Sequence, residues 1–194
     1  MKAVEVVVKD KDGSVVYKTG YNLDLYEEYL KRNTNDLTTL WLRRLFIALF
    51  TPLTTGGATS FSFTDTTGTA RTQYIKRDLG TYPSFFNLPP CNNRFWIAYG
   101  SSSTAPSPTD FRLGNKLGEG VATMTIDETA GIMTFSVSFT ITTDITVYEV
   151  GLEWEGCVAG VATCGRFLVD RTVFPDGITV SAGQVLTIIY RILV

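Results

Sequence analysis

Three acidic side chains in one short stretch have the spacing that could support catalysis. Glu149, Glu153 and Glu155 of the segment YEVGLEWEG are separated by even numbers of residues. Side chains at such intervals point to one side of a β-strand. Glycosidases need two carboxyl groups about 5–10 Å apart across a cleft, and residues i and i+2 of a strand satisfy that distance. A solvated strand face explains the same spacing without a cleft. We therefore expect Glu153 and Glu155 to face solvent, and we predict no catalytic residues.

Other chemistry is limited by what the chain lacks. It contains no histidine, which removes Ser-His-Asp and Cys-His catalysis and the commonest metal ligand. Asp127-Glu128 precedes Thr-Ala-Gly, which is typical of a hairpin turn. The segment 114–120 (GNKLGEG) lacks the Gly-Lys-Ser/Thr ending of a phosphate-binding loop, which favours a loop between strands. The sequence predicts a protein that is not an enzyme and needs no cofactor.

The cysteines allow two interpretations. Cys157 and Cys164 flank a short Val-Ala-Gly-Val-Ala-Thr segment that is typical of a hairpin loop. Their Cα atoms could meet at disulfide distance, which would leave Cys91 unpaired. The alternative is a pair of small buried thiols. No metal site is expected, because the chain has neither histidine nor a C-x-x-C pair.

The length fits one domain, or one domain plus an appendage, and the composition indicates a surface of short hydroxyl side chains. Of the 194 residues, 44% are hydrophobic and 19% are charged, below the roughly 25% of typical soluble domains. A net charge of −2 gives no electrostatic footprint for nucleic acid, so direct binding to it is not expected. Arg43, Arg44 and Pro52 interrupt the longest apolar stretch, which excludes a membrane span of about 20 apolar residues.

Three segments of the C-terminal half show the period-two alternation of half-buried antiparallel strands. They are 132–142, 146–154 and 185–194, and the last is apolar on nearly both faces, as expected mid-sheet or under an interface. Short strands separated by turns predict an all-β antiparallel β-sandwich, jelly-roll-like. The predicted core residues are Phe135, Val137, Phe139, Leu152, Ile188 and Ile192.

The N-terminal region is predicted to be an assembly element, residues 1–53, next to a β-sandwich domain over 54–194. Two alternating segments around Asp-Lys-Asp-Gly13 predict a β-hairpin. Asn22 or Asp24 can cap a first short helix, and Pro52 ends a second one.

The second predicted helix, LTTLWLRRLFIALF, is apolar around most of its circumference. Such a surface favours burial against the chain's own sandwich or a neighbouring subunit, and a helix lying at a membrane interface is the alternative. The residues predicted at a subunit interface are Trp41, Phe46, Ile47 and Phe50.

Five motifs follow one another between residues 95 and 194. In order they are FWIAYGSSSTAPSPTD, GIMTFSVSFTIT, YEVGLEW, RTVFP and SAGQVLTIIYRILV. This order resembles the β-sandwich structural modules of tail, fibre and connector proteins of tailed viruses, phage or archaeal. The resemblance implies a virion structural protein that assembles as a homo-oligomer and contacts other virion structural proteins. The N-terminal hairpin and the loop between the two late cysteines depart from the family.

The resemblance also implies roles for single residues. In the family, the acidic residue of E-V-G-L stands where Glu149 does, beside a glycine, here Gly151, that permits close approach of another strand. Arg171 of RTVFP is an available partner, so we expect a structural ion pair of Glu149 and Arg171, within or between subunits, rather than catalysis. Asp110 resembles the family's turn aspartate, which accepts backbone N–H bonds.

Two other classes of function remain open. A carbohydrate-binding module for host surface attachment is the alternative function, with a host surface glycan as its partner. Its sugar-stacking platform would draw on Trp96, Tyr99, Tyr82, Phe85 and Phe86, although core and interface packing explains the same aromatic residues. The other class is a glycan-degrading enzyme that uses the acidic strand. A binding module should be monomeric, whereas a structural subunit should bury its aromatic residues against copies of itself.

Overall fold

The computed structural model describes residues 2–20, 59–75, 94–127, 129–130, 132–157 and 164–193. All regular structure within these ranges is β-strand. The strands, in chain order, are β1 (Lys2–Lys9), β2 (Val15–Gly20), β3 (Thr59–Thr64), β4 (Ala70–Ile75), β5 (Arg94–Gly100), β6 (Lys116–Val121), β7 (Thr123–Asp127), β8 (Ile132–Thr140), β9 (Ile145–Cys157), β10 (Cys164–Val180) and β11 (Val185–Leu193). Both predicted helices, with the four predicted interface residues, lie outside the described ranges.

The strands form two antiparallel sheets and a separate hairpin. The five-stranded sheet has the order β2-β1-β11-β8-β7, and the four-stranded sheet has the order β10-β9-β5-β6. Strands β3 and β4 pair with each other. One hydrophobic cluster draws buried side chains from both large sheets, so the sheets pack face to face as a β-sandwich. The prediction of an all-β antiparallel sandwich is confirmed at this level.

The predicted core residues all lie in or against this cluster. The fully buried ones are Phe135, Leu152 and Ile188, and the partly buried ones are Val137, Phe139 and Ile192. Aromatic contacts join the two sheets across the core, with ring centroids 4.5 Å apart for Phe95 and Phe135. The alternation of β8 therefore predicted its inward-facing side, and that of β9 did so from Val150 onward. Val147, which the alternation places on the same face as Glu149, is instead buried in the core cluster.

The N-terminal hairpin shares the core of the sandwich. Strand β1 pairs with β11, which lies mid-sheet as its nearly two-sided apolar pattern predicted. Val4, Val6 and Val8 of β1 are buried. Gly13 has the positive φ, 86°, that its turn position required. Within the predicted assembly element, residues 2–20 thus form a hairpin whose two strands belong to the five-stranded sheet, and residues 21–53 lie outside the described part.

Candidate functional site: a buried ionic clamp under a surface loop

Strand β9 is a central strand of the four-stranded sheet, and both of its faces are covered. Its inward face carries Val150 and Leu152, and its outward face carries the acidic residues that the sequence singled out. Glu149 and Glu153 are both 0% exposed. The expectation that Glu153 faces solvent is therefore wrong, because other parts of the chain pack over this outer face. Glu155, near the strand end, is 13% exposed at its side chain.

Part of this cover is the segment 101–115, which connects β5 to β6. Its ends are joined by a hydrogen bond of 2.9 Å from the Ser101 amide to the Asn115 carbonyl. Leu113 is 3% exposed and packs with Ala98 and Leu168 in a small apolar cluster on the outer face. A Cβ on Gly151 would collide with the Leu113 side chain. The glycine beside Glu149 therefore admits this loop, whereas the sequence predicted close approach of a strand.

The Glu149 carboxylate accepts three backbone hydrogen bonds from the loop. The Ser102 and Asn115 amides donate to Oε1 at 3.3 and 2.8 Å, and the Gly114 amide donates to Oε2 at 3.0 Å. A Cβ on Gly100 would lie 2.5 Å from Oε1 of Glu149. The sheet can therefore hold this carboxylate against the loop backbone only because position 100 has no side chain.

Arg171 completes the arrangement from β10. Its Nε donates to Oε2 of Glu149 at 2.7 Å, and its side chain is 4% exposed. One terminal nitrogen donates to Oδ2 of Asp110 at 2.9 Å, and the other donates to the Thr104 carbonyl at 3.0 Å. Asp110 also accepts a bond of 2.9 Å from the Ser107 amide, as its turn position predicted. We refer to Glu149, Arg171 and Asp110 as the clamp.

The clamp satisfies the charges that it buries. Burial alone would lower the pKa of Arg171, but its hydrogen bonds to Glu149 and Asp110 raise it, so the guanidinium stays charged. A buried ion pair is tolerated only where further hydrogen bonds satisfy its remaining donors and acceptors. Four donors occupy the two Glu149 oxygens. This arrangement fastens a loop to a sheet, and it offers no free nucleophile or base to a substrate.

The predicted pair Glu149 and Arg171 is thus in direct contact within one chain, and Asp110 joins it. These residues come from three motifs that are well separated in the sequence. The loop amides that bind Glu149 have no signal of their own in the sequence, because any residue except proline supplies an amide.

A second group of charges lies farther along the same outer face; we call Glu153, Glu119, Lys116 and Arg166 the Glu153 cluster. Lys116 Nζ and Arg166 lie 3.4 and 3.7 Å from the Glu153 carboxylate, but each makes a closer contact of 2.6 Å with Glu119. Oε2 of Glu153 has no hydrogen-bond partner among the described residues. The two cations therefore pair first with Glu119.

The pKa values of the two glutamates of this cluster are shifted in opposite directions. Burial raises the pKa of Glu153, the neighbouring Glu119 raises it further, and Lys116 and Arg166 only partly offset this. Burial alone would also raise the pKa of Glu119, but hydrogen bonds from Arg166 and Lys116 lower it overall. Glu153 thus holds a proton more readily than an ordinary glutamate does.

Of the aromatic residues predicted for a sugar-stacking platform, the structure describes Trp96 and Tyr99, and it places them on opposite faces of the sheet. Trp96 lies on the outer face, where Arg166 stacks 3.6 Å from its ring centroid and its indole N–H donates to Glu155 at 3.0 Å. Tyr99 faces the core and packs edge-on against Phe139 at 4.8 Å. The two aromatic residues therefore cannot form one stacking platform. Tyr82, Phe85 and Phe86 lie outside the described residues.

The glycines of segment 114–120 have a structural explanation that the sequence reading missed. Residues 116–121 are strand β6, not a loop. A Cβ on Gly118 would lie 2.5 Å from the Tyr99 hydroxyl, and one on Gly120 would lie 2.9 Å from Val137. Gly118 and Gly120 therefore make room for core side chains.

The turn and cysteine predictions fall at strand ends. Asp127 accepts hydrogen bonds from the Thr129 and Ala130 amides at 3.0 and 2.9 Å, as expected for a turn. Cys157 and Cys164 are cross-strand partners at the end of the β9–β10 ladder. This register places their backbones opposite each other. The disulfide itself stays a prediction. Cys91 lies outside the described residues.

Sequence reasoning missed two further buried carboxylates. Asp65, 2% exposed, accepts bonds from the Thr67 and Thr69 amides and from Arg71 in the β3–β4 turn. Asp170, 3% exposed, follows a register shift in β10 and accepts a bond of 3.1 Å from Thr172. The role of Asp65 could have been predicted, because an aspartate before Thr-Thr-Gly is typical of a turn. The burial of Asp170 could not, because the sequence does not show a shift of register inside a strand.

Comparison with known proteins does not assign this chain to a family. Within the described ranges, no group of three or more potential metal-binding side chains occurs, and no helix is long and apolar enough to cross a membrane. The chain matches no protein-family model, and it matches neither a curated protein nor a solved structure.

Proposed function

We propose that this chain is a virion structural protein: a tail, fibre or connector (adaptor) subunit of a tailed virus that assembles as a homo-oligomer. The observation that carries the proposal is the convergence of the motifs. Asp110, Glu149 and Arg171 come from the Ser/Pro segment, YEVGLEW and RTVFP, and they form one hydrogen-bonded clamp. Because residues from three of the motifs bind one another, the motifs belong to one structural unit. This supports the resemblance more strongly than separate short matches would.

The clamp suits a subunit that presents the same surface in every copy. Loops are ordinarily the most mobile parts of a domain, and each copy of an assembly must hold them in a single shape. Here the carboxylate of Glu149 binds both ends of the loop, through Ser102 at the start and Gly114 and Asn115 at the end. The loop is thereby held as part of the rigid scaffold.

The finer parts of the proposal concern assembly. The sandwich is of the jelly-roll-like kind, and the second helix predicted within residues 1–53 docks against neighbouring subunits. The predicted interface residues are Trp41, Phe46, Ile47 and Phe50. The partners are copies of the chain and other virion structural proteins, and the location is the virion.

Two measurements test this function. Light scattering of the purified full chain should give a mass that is a multiple of the 21.4 kDa protomer. Mass spectrometry of tailed particles purified from the source of the sequence should find its peptides at a constant ratio to other particle proteins. A monomeric chain that is absent from particles and binds glycans would overturn the proposal in favour of a carbohydrate-binding module.

A further inference from the structure

Strand β7 lies at one edge of the five-stranded sheet, opposite the β2 edge, and is exposed along its whole length. All five of its residues, TMTID, are exposed, and Met124 and Ile126 are 46% and 56% exposed. Among the described residues, no strand pairs with its outer edge. An open edge with apolar side chains is a template for pairing with another chain.

The apolar side chains of β7 lie on the core side of the sheet. Met124 is the cross-strand partner of Phe135, and Ile126 is the partner of Met133; both partners belong to the core cluster or pack against it. Directly opposed residues of paired strands share a face. Met124 and Ile126 therefore extend the inward face of the sheet past the part that the opposite sheet covers.

The other edge of the same sheet differs in a way that matters for pairing. Strand β2 also exposes apolar side chains, Val15 and Val16 at 55% and 50%. However, its register with β1 shifts between Val8 and Lys9, and it carries Lys18, which pairs with Glu5. Register shifts and lysines are devices that discourage edge pairing. Strand β7 has neither, since its five pairs with β8 are continuous.

The sequence of β7 is complementary to itself in the antiparallel direction. When two copies meet around a twofold axis at Thr125, Met124 of each copy lies opposite Ile126 of the other. Thr123 lies opposite Asp127, so no like charges face each other. A twofold contact of this kind closes on itself and needs only one surface patch.

We propose that a second copy of this chain pairs with β7 in this antiparallel register and joins two five-stranded sheets into one continuous sheet. This inference rests on the self-assembly part of the proposed function and names one of its contacts. The contact buries Met124 and Ile126, which are otherwise two of the most exposed large apolar side chains of the described chain.

The test compares charge variants of the two sheet edges in the full chain. Met124→Lys/Ile126→Lys places like charges directly opposite each other across the proposed contact, and light scattering should show half the wild-type mass. The control, Val15→Lys/Val16→Lys, makes the same change of charge on β2 and should keep the wild-type mass. Mixing the β7 lysine variant with Met124→Glu/Ile126→Glu should restore the mass, because opposite charges then face each other.

A crosslink supplies a readout that does not depend on tolerance of new charges. Thr125→Cys lies at the proposed twofold axis, where paired Cα atoms are about 4.5–5.5 Å apart and within disulfide reach. Mild oxidation should yield a dimer whose linked peptides both contain position 125. Thr123→Cys, which faces Asp127 of the second copy, should yield little.

Three outcomes would overturn the inference. An unchanged mass for the β7 lysine variant, without a 125–125 crosslink, would place self-assembly elsewhere and leave the proposed function standing. Equal dissociation of the β2 control would show an effect of charge alone. A wild-type chain that is monomeric at all concentrations would refute the β7 contact and the proposed self-assembly together.

Discussion

The outer faces of the two sheets carry polar residues at the same two-residue spacing, yet they meet different surroundings. On the five-stranded sheet, Ser138 is exposed, and its hydroxyl shares a hydrogen bond of 2.8 Å with Thr187. On the four-stranded sheet, Glu149 and Glu153 are 0% exposed. Alternation decides which residues share a face, but the segments that fold over that face decide whether water reaches it.

The buried charges also differ among themselves. Glu149 receives four hydrogen bonds, whereas Glu153 competes with Glu119 for the same two cations. A buried carboxylate is costly unless it is paired and hydrogen-bonded. The hydrogen bonds of the clamp therefore offset the cost of burying Glu149, whereas Glu153, whose pKa is raised mainly by burial, should tolerate or favour its neutral form.

The largest expected effect comes from removing the cation of the clamp. Arg171→Met keeps most of the side-chain volume but leaves Glu149 buried without its ion-pair partner, so unfolding in urea should show a loss of about 3–5 kcal/mol. Arg191→Met is the matched change on the outer face of the five-stranded sheet, where the arginine pairs with Glu5 and is 37% exposed. That variant should lose about 0–1 kcal/mol. Equal losses would erase the distinction between the two faces.

The apolar part of the loop cover should contribute nearly as much. Leu113→Ala removes a side chain that is 3% exposed against Ala98 and Leu168, so a loss of about 2–5 kcal/mol is expected. Leu117→Ala is the control, because that leucine is 44% exposed, and its loss should stay within about 0.5 kcal/mol. If Leu113→Ala lost little free energy of unfolding in the same urea titration, the packing of Leu113 against the sheet would not stabilise the protein.

A smaller effect, opposite in sign, is expected at Glu153. Its pKa in the folded protein lies above the ordinary value of 4.5. Its contribution to stability is therefore fully present below that value and is lost as pH rises through the raised pKa. Glu153→Gln does not titrate, so it should be more stable than wild type at neutral pH, with the gain shrinking towards pH 4.

The neighbouring Glu119 gives the control for this trend. Its pKa is lowered, so its contribution is present above 4.5 and is lost as pH falls. Glu119→Gln should therefore lower stability at neutral pH, with the difference from wild type fading in acid. Parallel trends for the two variants in urea titrations at several pH values would refute the assignment of the raised pKa to Glu153.

The sequence predicted the inward faces of the strands except at Val147, which lies in the core although alternation places it on the outer face of β9. It also identified Glu149, Arg171 and Asp110 through the motifs that contain them. It did not predict the burial of Glu153, since nothing in the alternation of β9 encodes the side chains of Lys116 and Arg166 that neighbouring strands bring to this carboxylate. Asp170 was missed because a register shift in β10 turns it inward, and a pattern of period two contains no sign of such a shift.

The clamp itself is tested most directly by hydrogen exchange at the amides that bind Glu149. Glu149→Gln keeps the size of the side chain but removes the charge that the Gly114 and Asn115 amides meet at 3.0 and 2.8 Å. Their exchange should accelerate by about tenfold or more, because the loop then opens locally. The Thr129 and Ala130 amides, which bind the carboxylate of Asp127, should exchange as in wild type. Unchanged exchange at Gly114 and Asn115, or equal acceleration at all four amides, would contradict a clamp that fastens the loop to the sheet.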